Sequence, residues 1–481
     1  MRLATPLSAL KSHYDVVVVG SGYGGGVTAS RLARAGRKVC VLERGREYPT
    51  GSFPSRFPDL RKELMVSGGR FGVAKSAGLY DFRYGDDIHV LTGCGLGGGS
   101  LVNAGVALRP DARVFDDAAF PKAFRSDRDG LDEGFRRAAA WIRPMTDPRA
   151  EDMPKFKALA AASHALGQAP ELAPVAVSYA ETVNPAGIRQ PACTRCGDCC
   201  GGCNVGAKNT VAMSYLPDAA RHGAELFTEV NVQHLSRAAG GLWTVHFSAM
   251  GAPKDAGTVT ADIVMLSAGT LGSTEILLNS REHGLALSDR LGERFSANGD
   301  IIAFGYNGKS RVHAIGIGHP GKPGLGPVGA AVSGEIRVDD QDVLENSLCV
   351  QEGVLPSALG PLLPMMFVPG GKLIGAAEAL IRGVYEGPLS RTHTFFVVSH
   401  DSASGRIVLK DGIAAITWAN AGDEPVFARV DDALQKLSAA SGASYVKSPL
   451  ATSMLGKRPA TAHPLGEIGR ASCRERVCLA V

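Results

Sequence analysis

The chain is short of the features that would send it to a membrane, to nucleic acid or to hydrolysis. No uninterrupted apolar stretch is long enough to cross a bilayer. MRLATPLSALKSHYD at the start has no apolar core of the kind a secretory signal carries, so a cytoplasmic location is expected. Charge nearly balances, with 51 Lys and Arg against 47 Asp and Glu, a net +4 and no long basic run; nucleic acid is therefore not an expected partner. No GxSxG or HExxH occurs, which argues against hydrolase chemistry. GGCNVGAKNT imitates a phosphate-binding P-loop, but Ala207 displaces Lys208 from the required GK pair. No repeat period or low-complexity tract stands out. What remains, 45% hydrophobic and 20% charged over 481 residues, is an ordinary globular composition, and the length predicts two domains.

Two glycine-rich loops carry most of the information. The first lies in VVVVGSGYGGGVTASRLARAGRKVCVLERG. Val16 to Val19 is a β-branched run, expected of a parallel strand buried on both faces. Gly20, Gly22 and Gly25 fill a G-x-G-x-x-G frame: one for the tight turn, one for close approach to a pyrophosphate, one for helix–sheet packing. A helix from about Gly25 to Ala35 would aim its first N–H groups at the phosphates. Lys38 to Leu42 reads as the next strand. Glu43 at its end is placed to bond ribose hydroxyls and to repel a 2′-phosphate, which disfavours NADP but leaves NAD and FAD open.

The second loop, LTGCGLGGGSLVNAG, crowds Gly93, Gly95, Gly97, Gly98 and Gly99 ahead of Ser100 and Asn103. Backbone without side chains suits close contact with a ligand, and the apolar residues that follow point to a buried segment rather than a surface loop. The most apolar region, residues 353–381, is broken by Pro356, Pro361, Pro364 and Pro369. It reads as a buried irregular segment, or as a greasy lid over an apolar substrate with peripheral membrane contact.

Ten cysteines occur, five of them at Cys193, Cys196, Cys199, Cys200 and Cys203. Without Cys200 the spacing is C-x2-C-x2-C-x3-C, that of bacterial ferredoxin ligands, and suits an iron–sulfur cluster or zinc. Asn204 stands where the ferredoxin motif has proline.

Taken together, GSGYGGG with LERG, GCGLGGGSLVNAG, GAKNT…YLPDAARHGAELFTEV, LSAGTLGSTEILL and HPLG resemble the glucose–methanol–choline (GMC) oxidoreductases, in the order of that family and over nearly the whole chain. The likeness is strongest to their cholesterol-oxidase-like branch. The resemblance implies an α/β protein, α+β overall: a Rossmann-like, doubly wound FAD-binding domain with a second, mainly antiparallel-sheet substrate domain. It implies that Gly97, Gly98, Ser100 and Asn103 line the flavin side, that Val230 meets the adenine, and that Ala268 and Gly269 close a strand end against the cofactor. Similar cysteine runs precede GAKNT in relatives, which implies a structural role for them.

Oxidising an alcohol moves a hydride to the flavin and a proton to a protein group with a pKa near neutrality. His463 of HPLG is the expected acceptor, since the matching family segment carries an active-site histidine; Glu352 in CVQEGVLP is a second catalytic candidate by its resemblance to the carboxylate of sterol isomerisation. The expected substrate is a secondary alcohol of an apolar, sterol-like molecule, with oxygen or a redox partner as acceptor. Two other readings stay open: an electron-transfer flavoprotein using an iron–sulfur cluster, and a flavin-binding protein without turnover.

The expected domain division is 10–130, 205–300 and 455–466 for FAD, against 131–204 and 301–454 for substrate. In the latter, THTFFVVSH, GRIVLK and IAAITW read as strands of one antiparallel sheet. After HPLG the family continues with a flavin-contacting strand and a second catalytic asparagine; here EIGRASCRERVCLAV, residues 467–481, reads instead as translated sequencing-adapter sequence.

Overall fold

The structure, a computed structural model, describes residues 2–68, 77–117, 122–367, 383–447 and 458–466. The tail 467–481, with Cys473 and Cys478, and the second half of the apolar segment lie outside the described residues.

The first sheet has six strands in the order β10-β11-β12-β1-β2-β9. They are β1 (His13–Val19), β2 (Val39–Leu42), β9 (Glu225–Phe227), β10 (Val230–Arg237), β11 (Trp243–Ala249) and β12 (Ala252–Leu266). β12, β1, β2 and β9 run parallel, and β10–β11 add an antiparallel edge. The valine run explains the centre. Val16 and Val18 pack among Ala29, Ala33 and Leu216 on one face, while Val17 and Val19 pack among Val230, Val245 and Ile276 on the other. A strand buried on both sides can spare no polar position. The helix Tyr23–Arg34 starts two residues before its expected start.

The second sheet is antiparallel throughout, ordered β19-β13-β16-β15-β14-β6. Its strands are β6 (Glu171–Leu172), β13 (Ile301–Tyr306), β14 (Gly334–Val338), β15 (Leu348–Gly353), β16 (His393–Ser399) and β19 (Ser444–Val446). Strand alternation divides its side chains. Ala303, Val350, Phe395 and Val397 face the helices Pro154–Ala162 and Pro425–Ala440. Phe304 and Tyr306 face the apolar segment at Leu363 and Phe367. As far as it is described, that segment is buried and irregular, with the 3-10 turns Ser357–Leu362 and the short helix Leu363–Met366.

One expectation is corrected here. GRIVLK and IAAITW form β17 (Arg406–Lys410) and β18 (Ile413–Thr417), a hairpin of their own. Ile407, Ala414 and Ile416 pack on Leu271 and Leu278 of the helix Gly269–Glu282, so the apolar face of that hairpin serves the dinucleotide-type sheet instead.

A third sheet, β20-β5-β4-β3, joins β3 (Leu64–Ser67), β4 (Tyr80–Arg83), β5 (His89–Gly93) and β20 (Ala460–Thr461). β20 lies parallel to β5, with Ala460 opposite His89. The strand leading to HPLG is thus placed beside the strand leading to the second glycine loop. A small hairpin of β7 (Thr182–Val183) and β8 (Arg189–Gln190) completes the strands.

Candidate functional site

The two glycine loops meet. Gly20 turns out of β1 at φ +94°, and a Cβ there would lie 2.4 Å from the Ser267 carbonyl oxygen at the end of β12. Gly98, at φ +55°, sits so that a Cβ would lie 2.7 Å from the Cα of Gly22. Ser21, which sequence reasoning overlooked, stitches the loops: its Oγ accepts the Gly97 N–H at 2.9 Å and donates to Glu43 Oε2 at 2.6 Å. Glu43 is 6% exposed and also accepts from Ser21 N and Gly45 N, at 3.0 and 2.7 Å. Gly25 is buried in the first turn of the helix Tyr23–Arg34, whose first turn carries no acidic side chain. Its N-terminal N–H groups therefore face no competing protein anion in that turn.

Val230 opens β10 beside Glu43, to whose carbonyl it donates at 2.9 Å. Ala268 caps the helix Gly269–Glu282, its N–H bonded to Ser273 Oγ at 3.1 Å. Ser100 is fully buried and serves the loop itself, donating to the Gly97 carbonyl at 2.6 Å and accepting from Val211 N at 3.0 Å. Asn103 donates from Nδ2 to the Tyr23 hydroxyl at 3.0 Å, which ties the second loop to the first helix. Its Oδ1 is buried and has no hydrogen-bond partner. An orphaned acceptor, two glycine loops in backbone contact and an open helix N-terminus fit an extended dinucleotide such as FAD.

Lys208, outside any P-loop, is a keystone of the second glycine loop. It is 2% exposed, and its Nζ donates to the carbonyls of Leu101, Asn103 and Cys199 at 3.2, 2.5 and 3.1 Å. Burial pulls its pKa below the usual lysine value, against the nearby cysteine sulfurs.

His463 follows β20. Its Nδ1 lies 2.9 and 3.0 Å from the two carboxylate oxygens of Asp300. Leu465 bridges Ser296 through reciprocal backbone bonds of 2.9 Å, and a Cβ on Gly466 would lie 2.7 Å from Thr270 Cγ2. HPLG thus docks beside the same Ala268–Thr270 corner that Gly20 approaches. Asp300 was missed because nothing in the sequence couples it to a histidine 163 residues away.

Glu352 is placed differently from its expected role. It opposes Phe395 in register and so shares the face covered by the two long helices. There it is 2% exposed and pairs with Lys155 at 2.6 Å, accepting also from Ser333 N at 3.0 Å. Burial pushes its pKa up to about 7, against the pull of Lys155. The other face of the sheet carries Phe304 and Thr394, which line an apolar cavity with Ile315, Leu355, Leu363, Phe367 and Leu389.

Among the described residues no three His, Cys, Asp or Glu side chains converge as a metal ion requires. Instead of joining Cys203 in a ligand set, Cys193 and Cys199 pack with Val175, Val177, Ala330 and Ala331. Their sulfurs accept the N–H groups of Arg195 and Ala331 at 3.3 and 3.4 Å. Burial raises the pKa of both and pushes Cys196 up to about 12. No helix among the described residues is long and apolar enough to cross a membrane.

This combination defines a dinucleotide-binding architecture of the Rossmann type. The chain belongs to the GMC oxidoreductase family, whose pattern matches residues 23–297, more than half of the 481 residues. It is 28% identical over 390 residues to a cholesterol oxidase of Mycobacterium tuberculosis, covering 77% of this chain and 61% of that protein. With a cholesterol oxidase of Acinetobacter baumannii it shares 26% identity over 367 residues, 69% of this chain and 60% of that one. The chain therefore spans about three fifths of the length of these relatives. A fungal aryl-alcohol oxidase structure superposes with a TM-score of 0.53 at 14% identity, over 91% of this chain and 85% of the other, which shows the shared fold.

Proposed function

We propose that this chain binds FAD across its two glycine loops and oxidises the CH–OH group of an apolar alcohol. Bound FAD supplies the acceptor for the carbon-bound hydride. His463 takes the hydroxyl proton. The observation that carries this reading is the backbone contact of Gly22 with Gly98 at the mouth of a helix N-terminus. Similarity to two cholesterol oxidases supports a sterol-like secondary alcohol as substrate.

In this reading residues 10–130, 205–300 and 455–466 hold the cofactor, joined by the hairpin Arg406–Thr417 that packs on the helix Gly269–Glu282, and the remainder of 131–204 and 301–454 holds the substrate. The sharing of strands supports it: the first and third sheets draw only on the former set, the second only on the latter.

The test is the visible spectrum of the purified chain, followed by anaerobic addition of sterols and long-chain alcohols. Flavin bands that bleach with a sterol support the proposal. A colourless protein that takes up no FAD overturns it, and bleaching only by small polar alcohols overturns the substrate class.

A further inference from the structure

We propose that Asp300 is a positioning residue for His463: it holds the proton on Nδ1, so that the basic lone pair sits on Nε2. The inference deepens the reading above and rests on His463 as the proton acceptor.

The Asp300 side chain is 8% exposed, while that of His463 is half exposed. A nearly buried carboxylate is thus aimed at an accessible ring. Its remaining contacts hold it there. Oδ2 accepts from Thr461 Oγ1, Ala462 N and His463 N at 2.7, 3.0 and 3.0 Å, and Oδ1 accepts from Asn298 Nδ2 at 3.3 Å.

The turn bearing Asp300 is itself fixed. Asn298 and Gly299 are successive left-handed residues, at φ 58° and 54°, a conformation that Asn and Gly tolerate best. Asp401, following β16, accepts the N–H groups of Ala297 and Gly299 at 2.8 and 3.0 Å. Among the described residues of this cluster Asp300 is the ionisable partner of the imidazole, and Thr461 and Asn298 are neutral.

An acceptor-only carboxylate at Nδ1 requires a hydrogen there, which selects one tautomer. When the substrate O–H bond breaks, its proton forms the Nε2–H bond, and the imidazolium lies against a carboxylate. Bound FAD, held by the two glycine loops, would supply the acceptor for the carbon-bound hydrogen and its electron pair as the carbonyl forms. Asp300 itself takes no proton.

The experiment compares the wild-type chain, Asp300→Asn and His463→Gln, with His463→Gln identifying the His463 imidazole signals in nitrogen NMR. Wild-type His463 is expected as the Nδ1–H tautomer, with a pKa above the value of about 6.5 for free histidine. In Asp300→Asn that pKa falls, the acid limb of kcat/KM moves to lower pH, and kcat drops by roughly 10²–10⁴ with FAD content and KM little changed. An Nε2–H tautomer in the wild type overturns the proposal, as does Asp300→Asn with an unchanged His463 titration. Should Asp300→Asn fail to fold, the wild-type tautomer decides alone. Should no alcohol reduce the flavin, the proposed reaction fails while the NMR still reads the pairing.

Discussion

Gly22 and Gly98, from two loops far apart in sequence, touch backbone to backbone: a Cβ on Gly98 would stand 2.7 Å from the Cα of Gly22. The contact sets how closely the two halves of the cradle approach. Gly98→Ala forces them apart and places an L side chain at φ +55°. We expect the purified variant to retain its circular dichroism but lose most of its FAD, read as flavin absorbance per protein. Full flavin loading would show that the contact does not shape the site.

Lys208 is the second support of the Gly97–Asn103 loop. Its three donors match three carbonyls, two of them from Leu101 and Asn103. Lys208→Met leaves these buried acceptors bare, at roughly 1–3 kcal/mol for each one not rescued by water. The expected result is a lower melting temperature together with faster loss of FAD on dilution. If only the melting temperature moved, Lys208 would support the cysteine segment and not the cradle.

How far the sequence could be read follows from the range of each interaction. Val16–Val19, Gly20 and Glu43 were legible because strand, turn and acidic residue are near neighbours and each residue type answers a local demand. His463 stands out in the sequence through its motif, whereas its pairing with Asp300 does not: their meeting depends on β20 lying beside β5 and on the bridge between Ser296 and Leu465. The face that Glu352 takes is hidden from the sequence for a similar reason. A shift of one residue separates the helix-covered face from the cavity face, and only the pairing with Phe395 reveals which one it takes. The hairpin β17–β18 carried correct strand signals, yet its apolar face was free to pack on either domain.

The cysteine run shows that spacing and burial are separate signals. Ferredoxin-like intervals are present, but Cys193 and Cys199 behave as small apolar side chains. We expect the purified chain to contain no stoichiometric iron or acid-labile sulfide, and Cys196→Ser to keep an unchanged flavin spectrum. Iron in proportion to protein, lost in that variant, would restore the electron-transfer reading.

The pair Lys155–Glu352, both at most 2% exposed, makes a stability prediction with a defined sign. Removing one partner strands the other in an apolar setting, so Lys155→Met should cost about 3–5 kcal/mol by denaturant unfolding. The pH dependence is subtler. The Glu352 pKa rises from 4.5 to about 7 on folding, chiefly by burial. Below pH 4.5 the carboxyl is protonated in folded and unfolded chains alike, and its contribution is fully present. As pH climbs from 4.5 towards 7 the unfolded chain sheds this proton first, so stability falls by roughly 3 kcal/mol before levelling off. Glu352→Gln cannot titrate and should lack that slope. Melting curves of both proteins between pH 4.5 and 7 should therefore converge at the acid end and separate towards neutrality, with the wild type losing stability relative to the variant. Parallel curves would mean that Lys155 keeps the carboxylate charged throughout, and that their mutual attraction outweighs the burial penalty.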